Sequence, residues 1–410
     1  MSSDTWRGGS PEGFYDEARA LLSAAAVRAR SEIVFAAAAR GETRHFRLAL
    51  EKLDRAAERV AAVTRRRYPS LDIPYHSRWR HFAAGGIDRA RHIASGADPA
   101  ETARARIDLA FVSVLLDAGA GPHWRFRQEE SGLVLARSEG LAVASLCAME
   151  KGLFSADPQL PWRADAAALA CLAEADLARA FQHGPGNELL GLPGRARLLR
   201  RLGEAAARRP DLFGRPARLG TLYDHWLERR AALDAGDILA TLLDACAAIW
   251  PGGGCLNGIP LGDCGRHSAV PGDGIVPFHK LAQWLAYSLF EPLEQAGFRI
   301  VDLDGLTGLA EYRNGGLFLD CGVLEARDPD LPRRPLAAHS EPVVEWRALT
   351  VALLDRLAPV VRERLGKNAE ELPLAKVLEG GSWAAGRELA FARRPDGSPP
   401  LTIISDGTLF

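Results

Sequence analysis

The sequence predicts a mainly α-helical protein with a small accessory β element, on three observations. Apolar residues recur at helical spacing through the first half, alanine crowds two long stretches, and no series of strand–helix–strand units is present to build a doubly wound parallel sheet. Leu50, Leu53, Ala57, Val60 and Thr64 define one helical face, with Glu51, Lys52, Arg55 and Arg59 opposite. That helix ends at Tyr68-Pro69, because the residue before a proline resists the helical region. Residues 18–39 and 164–180 are alanine-rich and predict close-packed helices. Residues 68–82 and 119–132 read as irregular, and the Pro/Gly-rich stretch 209–220 marks a boundary between an N-terminal helical region, 1–215, and a C-terminal one, 216–410. The two are expected to form one compact unit, with most of the site in the second.

That second half predicts a helix over 237–250, a glycine-rich loop over 251–274, and a helix opening at Pro277 with the stripe Phe278, Leu281, Leu285 and Leu289. Pro292 should kink it or start a new turn, and Gly297 should cap it. Strand-like pieces at 298–303, 317–319 and 401–404 supply the small sheet.

Composition excludes several classes. Among 410 residues, 51 basic side chains stand against 52 acidic ones, so no basic excess suits a nucleic-acid partner. The arginine runs Arg65-Arg66-Arg67 and Arg78-Trp79-Arg80-His81 are read as solvated faces. Six cysteines show no C-x-x-C pair, and Cys264 with His267 lacks the further ligands of a zinc site, so no metal or cofactor is predicted. Neither a secretory leader at Met1-Ser2-Ser3-Asp4-Thr5-Trp6 nor a membrane-length apolar run is seen, which leads to a cytoplasmic expectation.

Three constellations could carry chemistry. Asp302 and Asp304 share one side of an extended chain and could raise each other's pKa in a cleft, or simply cap a turn. In Glu311-Tyr312-Arg313-Asn314-Gly315-Gly316 the glycines allow backbone to approach a ligand and Arg313 offers a fork of donors. An ion pair of Arg313 with Glu311 or Glu345 is the alternative. His279, Lys280, Gln283, Trp284 and Tyr287 give one helical face a mixture typical of small-molecule pockets, or of interhelical packing. The glycine-rich loop has neither a P-loop ending nor a dinucleotide fingerprint, so Arg266 and His267 there read as a turn.

The order of motifs resembles one family. Val276-Pro277-Phe278-His279-Lys280-Leu281-Ala282-Gln283-Trp284, Asp302-Leu303-Asp304-Gly305-Leu306-Thr307-Gly308, Glu311-Tyr312-Arg313-Asn314-Gly315-Gly316 and Val344-Glu345-Trp346-Arg347 are followed by Leu374-Ala375-Lys376-Val377-Leu378-Glu379-Gly380-Gly381-Ser382-Trp383 and Ser405-Asp406-Gly407-Thr408-Leu409-Phe410. Together with Tyr75-His76-Ser77-Arg78-Trp79-Arg80-His81-Phe82 and Arg137-Ser138-Glu139-Gly140, these resemble the Urc/Urg uracil-catabolism family of the fourth Urc gene product. Gly265 stands where a bulkier residue would be expected. The resemblance implies a pathway that opens the ribosylated uracil ring and ends in urea. Pro277-Phe278-His279-Lys280, Glu311-Tyr312-Arg313 and Glu345-Trp346-Arg347 are also similar to motifs of queuosine-salvage nucleoside hydrolases. That likeness implies a DNA-glycosylase-like architecture and cleavage of an N-ribosyl bond.

Such a bond breaks through an oxocarbenium-like transition state that needs a carboxylate and, for urea as leaving group, a proton donor. The expected assignment is Asp304 and Glu311 as catalytic groups. Asp302, His279, Lys280, Gln283, Trp284, Tyr312, Arg313, Glu345 and Arg347 are expected to bind a small ribosyl substrate, with or without a 5-phosphate. Among early residues, His76, Arg78, Trp124 and Glu139 are further candidates. A uracil phosphoribosyltransferase and a non-catalytic metabolite binder are the alternatives.

Overall fold

In the computed structural model the described residues are 11–229, 232–250, 254–404 and 408. The segment read for a leader, the first three residues of the glycine-rich loop, and 405–407 with 409–410 of the terminal motif lie outside them.

The longer helices, in chain order, are α1 (Pro11–Ala20), α2 (Ala24–Ala39), α3 (Leu53–Arg67), α4 (Pro99–Leu115), α5 (Arg137–Glu150), α6 (Leu192–Ala207), α7 (Ala235–Cys246), α8 (Lys280–Gln295), α9 (Tyr312–Asp320), α10 (Glu341–Leu365) and α11 (Trp383–Arg393). Their starts follow local chemistry. Ser23 accepts the Ala26 N–H to open α2, and Asp98 accepts the Glu101 N–H ahead of Pro99 to open α4. Because Ser23 interrupts the alanine-rich stretch, it becomes two helices rather than one. The second alanine-rich stretch likewise splits into short helices, Ala166–Ala170 and Glu174–Ala180. At the end of α8, Gly297 takes φ 93°, and the Phe298 and Gly297 N–H groups close on Leu293 and Glu294, the glycine stop that the sequence predicts.

A helix buried on every side belongs at the centre of a domain. Residues 280–290 of α8 are all buried, and so is an unbroken run of α10 from Val343 to Leu354. α4 and α7 pack on α8; α2, α3 and α9 pack on α10. Among the described residues each sheet has two strands, and the 401–404 expectation survives as Ile403–Ile404 paired with Leu336–Ala337. The architecture is mainly α with a small β element.

Four expectations need correction. Pro277 ends a strand, Ile275–Pro277, instead of opening a helix; the Phe278 and His279 N–H groups go to the Asp263 carbonyl, so α8 begins at Lys280. Residues 317–319 lie inside α9, because a side-chain cap at Glu311 and burial of Leu317 and Phe318 outweigh their strand propensity. Stretch 209–220 is no linker: Arg218 bonds buried Asp108 at 2.6 Å, and Gly220 packs on the Arg104 carbonyl. One hydrophobic cluster runs from Ala24 to Leu401 across it. The second arginine run is not a solvated face, whereas Arg65, Arg66 and Arg67 are exposed as expected. Arg67 pairs with Glu379 at 2.9 Å, and Arg78 is wholly buried.

Gly386 of α11 shows how tightly the site is underpinned. A Cβ there would sit 2.1 Å from the carbonyl of Arg313, so Gly386→Ala should destabilise the protein by about 1–3 kcal/mol. Gly184, with open space around it, should tolerate alanine within about 0.5 kcal/mol. Urea midpoints of the two variants measure the difference, and equal midpoints would contradict the packing.

Candidate active site

Six chain segments converge on a small buried cavity of about 60 Å³, lined by His76, His81, Asp117, Ser138, Lys280, Leu281, Trp284, Leu309, Glu311, Tyr312 and Trp383. Larger grooves exist elsewhere, lined by mixed charges such as Glu129, Glu130, Lys151 and Arg179.

Glu311 precedes α9 and accepts the main-chain N–H groups of Arg313 and Asn314, both at 2.6 Å. Its carboxyl is raised above the ordinary glutamate value by burial, against the pull of those two N–H groups and of Lys280. Lys280, at the first turn of α8, is pushed the other way: burial lowers its ammonium, and Glu311 restores part of the loss. Trp284, one turn on, brings its indole to the same wall, with Nε1 buried and without a hydrogen-bond partner. Tyr312 lies beside Glu311, its hydroxyl raised by burial.

Asp117 comes from just beyond α4, where a buried arginine fixes the chain. Arg195 donates to the carbonyls of Leu116, Ala118 and Gly119 and so caps the helix end. The carboxylate of Asp117 lies 2.7 Å from the Arg78 guanidinium. Arg78 also donates to the Ser113 hydroxyl and to Nδ1 of His81. A guanidinium can only donate, so Nδ1 is an acceptor and the neutral His81 ring carries its proton on Nε2. Burial, helped by the Arg78 charge, depresses the His81 pKa to about 4.

His76 completes the far side. Its Nδ1 donates to Glu379 at 2.9 Å, leaving Nε2 for the cavity, and its ring sits 4.7 Å from that of Trp284. Burial would raise Glu379, but His76, Arg67 and the Tyr68 hydroxyl bring it down to about 2. Glu379 stands in a π-helical turn, Leu378–Ser382, where Gly381 lies against the Val60 carbonyl of α3.

The structure divides the expected site residues. Glu311, Lys280, Trp284 and Tyr312 meet in the cavity. Asp304 does not: it accepts the Leu374 N–H at 2.6 Å and pairs with Arg362 at 2.5 Å, closing a turn. Asp302 is exposed at φ 48° beside it. Gln283 is spent on Thr307, with which it exchanges three hydrogen bonds, and Glu345 on the Phe46 N–H and His267. Arg347 forks onto Asp263 at 2.7 and 2.8 Å. Cys264, weighed as a metal ligand with His267, accepts the Gly254 N–H instead. His279 adopts φ 49° and donates from Nε2 to the Leu21 carbonyl, with Nδ1 buried and unpartnered. Arg313 pairs with neither glutamate; it donates to the Gly397 carbonyl and lies over the Tyr312 ring. Gly315 meets the Trp346 indole rather than a ligand, and Gly265 is small because Val344 leaves a Cβ only 2.3 Å. Of the early candidates, Trp124 is core, while Glu139 pairs with Arg387. His81, Asp117, Ser138 and Trp383 were not singled out. Only the aromatic and histidine content of two of their motifs could have pointed to them.

With that geometry in place, comparisons assign the lineage. Residues 20–410 match a family described as "Protein of unknown function (DUF1688)". The chain belongs to this family. It is 37% identical over 411 residues to "Uracil catabolism protein 4" of Lachancea kluyveri, covering 90% of this chain and 93% of that one. It is 39% identical over 406 residues to "Protein urg3" of Schizosaccharomyces pombe, covering 95% of this chain and 98% of that one. Among the described residues no helix is long and apolar enough to cross a membrane.

His81 gives the site a pH signature. Its folded pKa of about 4 lies below the ordinary 6.5, so the folded state binds fewer protons there than the unfolded chain. Its stability contribution is complete above pH 6.5 and is lost as pH falls from 6.5 towards 4, by about 3 kcal/mol. In His81→Asn the amide oxygen can still accept from Arg78 but does not titrate. Denaturation across that window should show the variant losing less stability on acidification; parallel curves would refute the assignment.

Proposed function

We propose that the protein acts in uracil catabolism as an N-ribosyl hydrolase that releases urea from a ribosylurea-type substrate. The pathway rests on the name of the Lachancea kluyveri relative. The chemistry rests on one observation: a desolvated carboxyl with a raised pKa, Glu311, shares an aromatic-walled cavity with a second carboxylate, Asp117. A carboxyl raised by burial suits the acid, and a carboxylate fixed by a guanidinium suits the group that faces positive charge.

In this reading the bond from the sugar C1′ to the urea nitrogen breaks, and its electron pair leaves with nitrogen. Glu311 delivers a proton to that nitrogen, so urea departs neutral. Asp117, rather than Asp304, faces the developing oxocarbenium charge. Water adds to C1′ and gives up a proton to Nε2 of His76, whose ring is oriented by Glu379. Trp284 and Trp383 exclude bulk water and strengthen each of these interactions. The phosphoribosyltransferase alternative loses its main support, since the 302–308 segment forms a turn in which Asp304 is already engaged.

Purified protein incubated with ribosylurea or its 5-phosphate should release free urea. Glu311→Gln should lower kcat by roughly 10²–10⁴-fold. Asp304→Asn should cost about 1 kcal/mol of stability and leave kcat within about threefold. Absence of urea from both substrates with folded protein, or full turnover by Glu311→Gln, would overturn the reading.

A further inference from the structure

Three arginines stand beside the cavity, each attached to a residue that lines it. Arg137 precedes Ser138, Arg313 follows Tyr312, and Arg387 lies one helical turn beyond Trp383. Arg313 and Arg387, on α9 and α11, lie over the Tyr312 and Trp383 rings that line the cavity, and Arg137 of α5 lies near enough to both to feel their charge.

Each is held in place by its plane and by one acceptor. Arg137 lies 5.4 Å from the Phe391 ring centre and donates to the Asp396 carbonyl; Arg313 lies 4.9 Å from that of Tyr312 and donates to the Gly397 carbonyl. Because those carbonyls belong to successive residues, one turn of chain draws the two like charges together. Arg387 stacks 5.3 Å over Trp383 and reaches Glu139 at 3.0 Å, two residues from Arg137. Among the described residues, Glu139 is the carboxylate that hydrogen-bonds one of the three guanidinium groups, while Glu311 takes the Arg313 main-chain N–H. Burial, followed by repulsion from Arg313 and Arg387, lowers the proton affinity of Arg137.

Donors are also left over. Nη1 of Arg137 is buried without a hydrogen-bond partner, and so is Nε of Arg313, a residue only 5% exposed. Arg137 itself takes the left-handed φ of 55° at the first position of α5, a 14-residue helix whose N-cap, Ala136, offers no side-chain hydrogen bond. The free N–H groups of that first turn carry the positive end of the helix dipole. Three like charges brought together with one carboxylate hydrogen-bonded to a guanidinium, unfilled guanidinium donors and an uncapped helix start together describe a site for a compact, multiply charged anion.

We propose that Arg137, Arg313 and Arg387 form a subsite for a phosphate monoester at the edge of the cavity, so that the substrate is a ribosyl 5-phosphate rather than a free riboside. The proposal rests on the hydrolase reading only for the identity of the sugar. The anion site stands on its own geometry.

The test measures binding of ribose 5-phosphate, with ribose as the control, by calorimetry on the full chain. Ribose 5-phosphate should bind wild-type protein and be displaced by inorganic phosphate, while ribose should bind at least about tenfold more weakly. Arg137→Gln and Arg387→Gln, on separate helices, should each weaken ribose 5-phosphate binding by roughly ten- to a hundredfold and leave ribose binding unchanged. Equal affinity of wild-type protein for the two sugars, or unaltered binding in the variants, would overturn the subsite. If these differences hold but no urea is released from any ribosylurea, the hydrolase reading falls and the subsite stands. Equal kcat/KM for ribosylurea and its 5-phosphate would remove the subsite and keep the hydrolase.

Discussion

Asp263 organises the protein around a buried charge. Its carboxylate receives both arms of Arg347 at 2.7 and 2.8 Å and the Lys280 N–H at 3.0 Å. Its carbonyl takes the Phe278 and His279 N–H groups. Burial would raise its pKa, but the Arg347 charge and the Lys280 N–H carry it down to about 2. One residue, through its carbonyl and its carboxylate, therefore fixes the end of the strand before α8, the sharp left-handed turn at His279, the first residue of α8, and the contact of α8 with α10. Arg347 extends the chain of constraint by donating to the Ala310 carbonyl, immediately before Glu311. Removing one partner of such a pair leaves an uncompensated charge in the core, typically a loss of about 3–5 kcal/mol.

The cavity inherits its geometry from that node. Lys280 and Glu311 face one another because Asp263 holds the Lys280 N–H and Arg347 holds the Ala310 carbonyl, one residue before Glu311. Two further buried arginines repeat the device on the opposite wall: Arg195 closes the end of α4 below Asp117, and Arg78 ties Asp117 to His81. Most of the charged groups around the cavity are thus held by other charged groups or by main chain. Such preorganised polar shells suit reactions in which charge develops away from bulk water.

Much of this was legible along the chain. The helices of the first half followed from apolar spacing and alanine content, and the glycine stop after α8 from Gly297 alone. Lys280 and Trp284 were brought together by helical spacing, and Glu311 came from the glycine-bearing motif it opens and the proton donor that an N-ribosyl hydrolysis needs. What misled was proximity in sequence. Asp302 and Asp304 resemble an acidic pair, yet one is exposed and the other is claimed by Arg362 and the Leu374 N–H. Glu345, Arg347 and Gln283 carry the motif resemblance as fully as Glu311 does. Their side chains are consumed by His267, Asp263 and Thr307. A motif does not distinguish a residue that holds the site from one that lines it.

The sequence by itself determined the helical class and the family motifs, because these depend on local propensity and on spacing within a turn or two. Only the tertiary structure decided which polar groups remain for a substrate. That depends on partners far away in the chain: Asp117 with Arg78, His76 with Glu379, and Arg137 with Arg313 through one distant turn. Burial sets the protonation of such groups, and burial is a property of the packed molecule rather than of any segment of it.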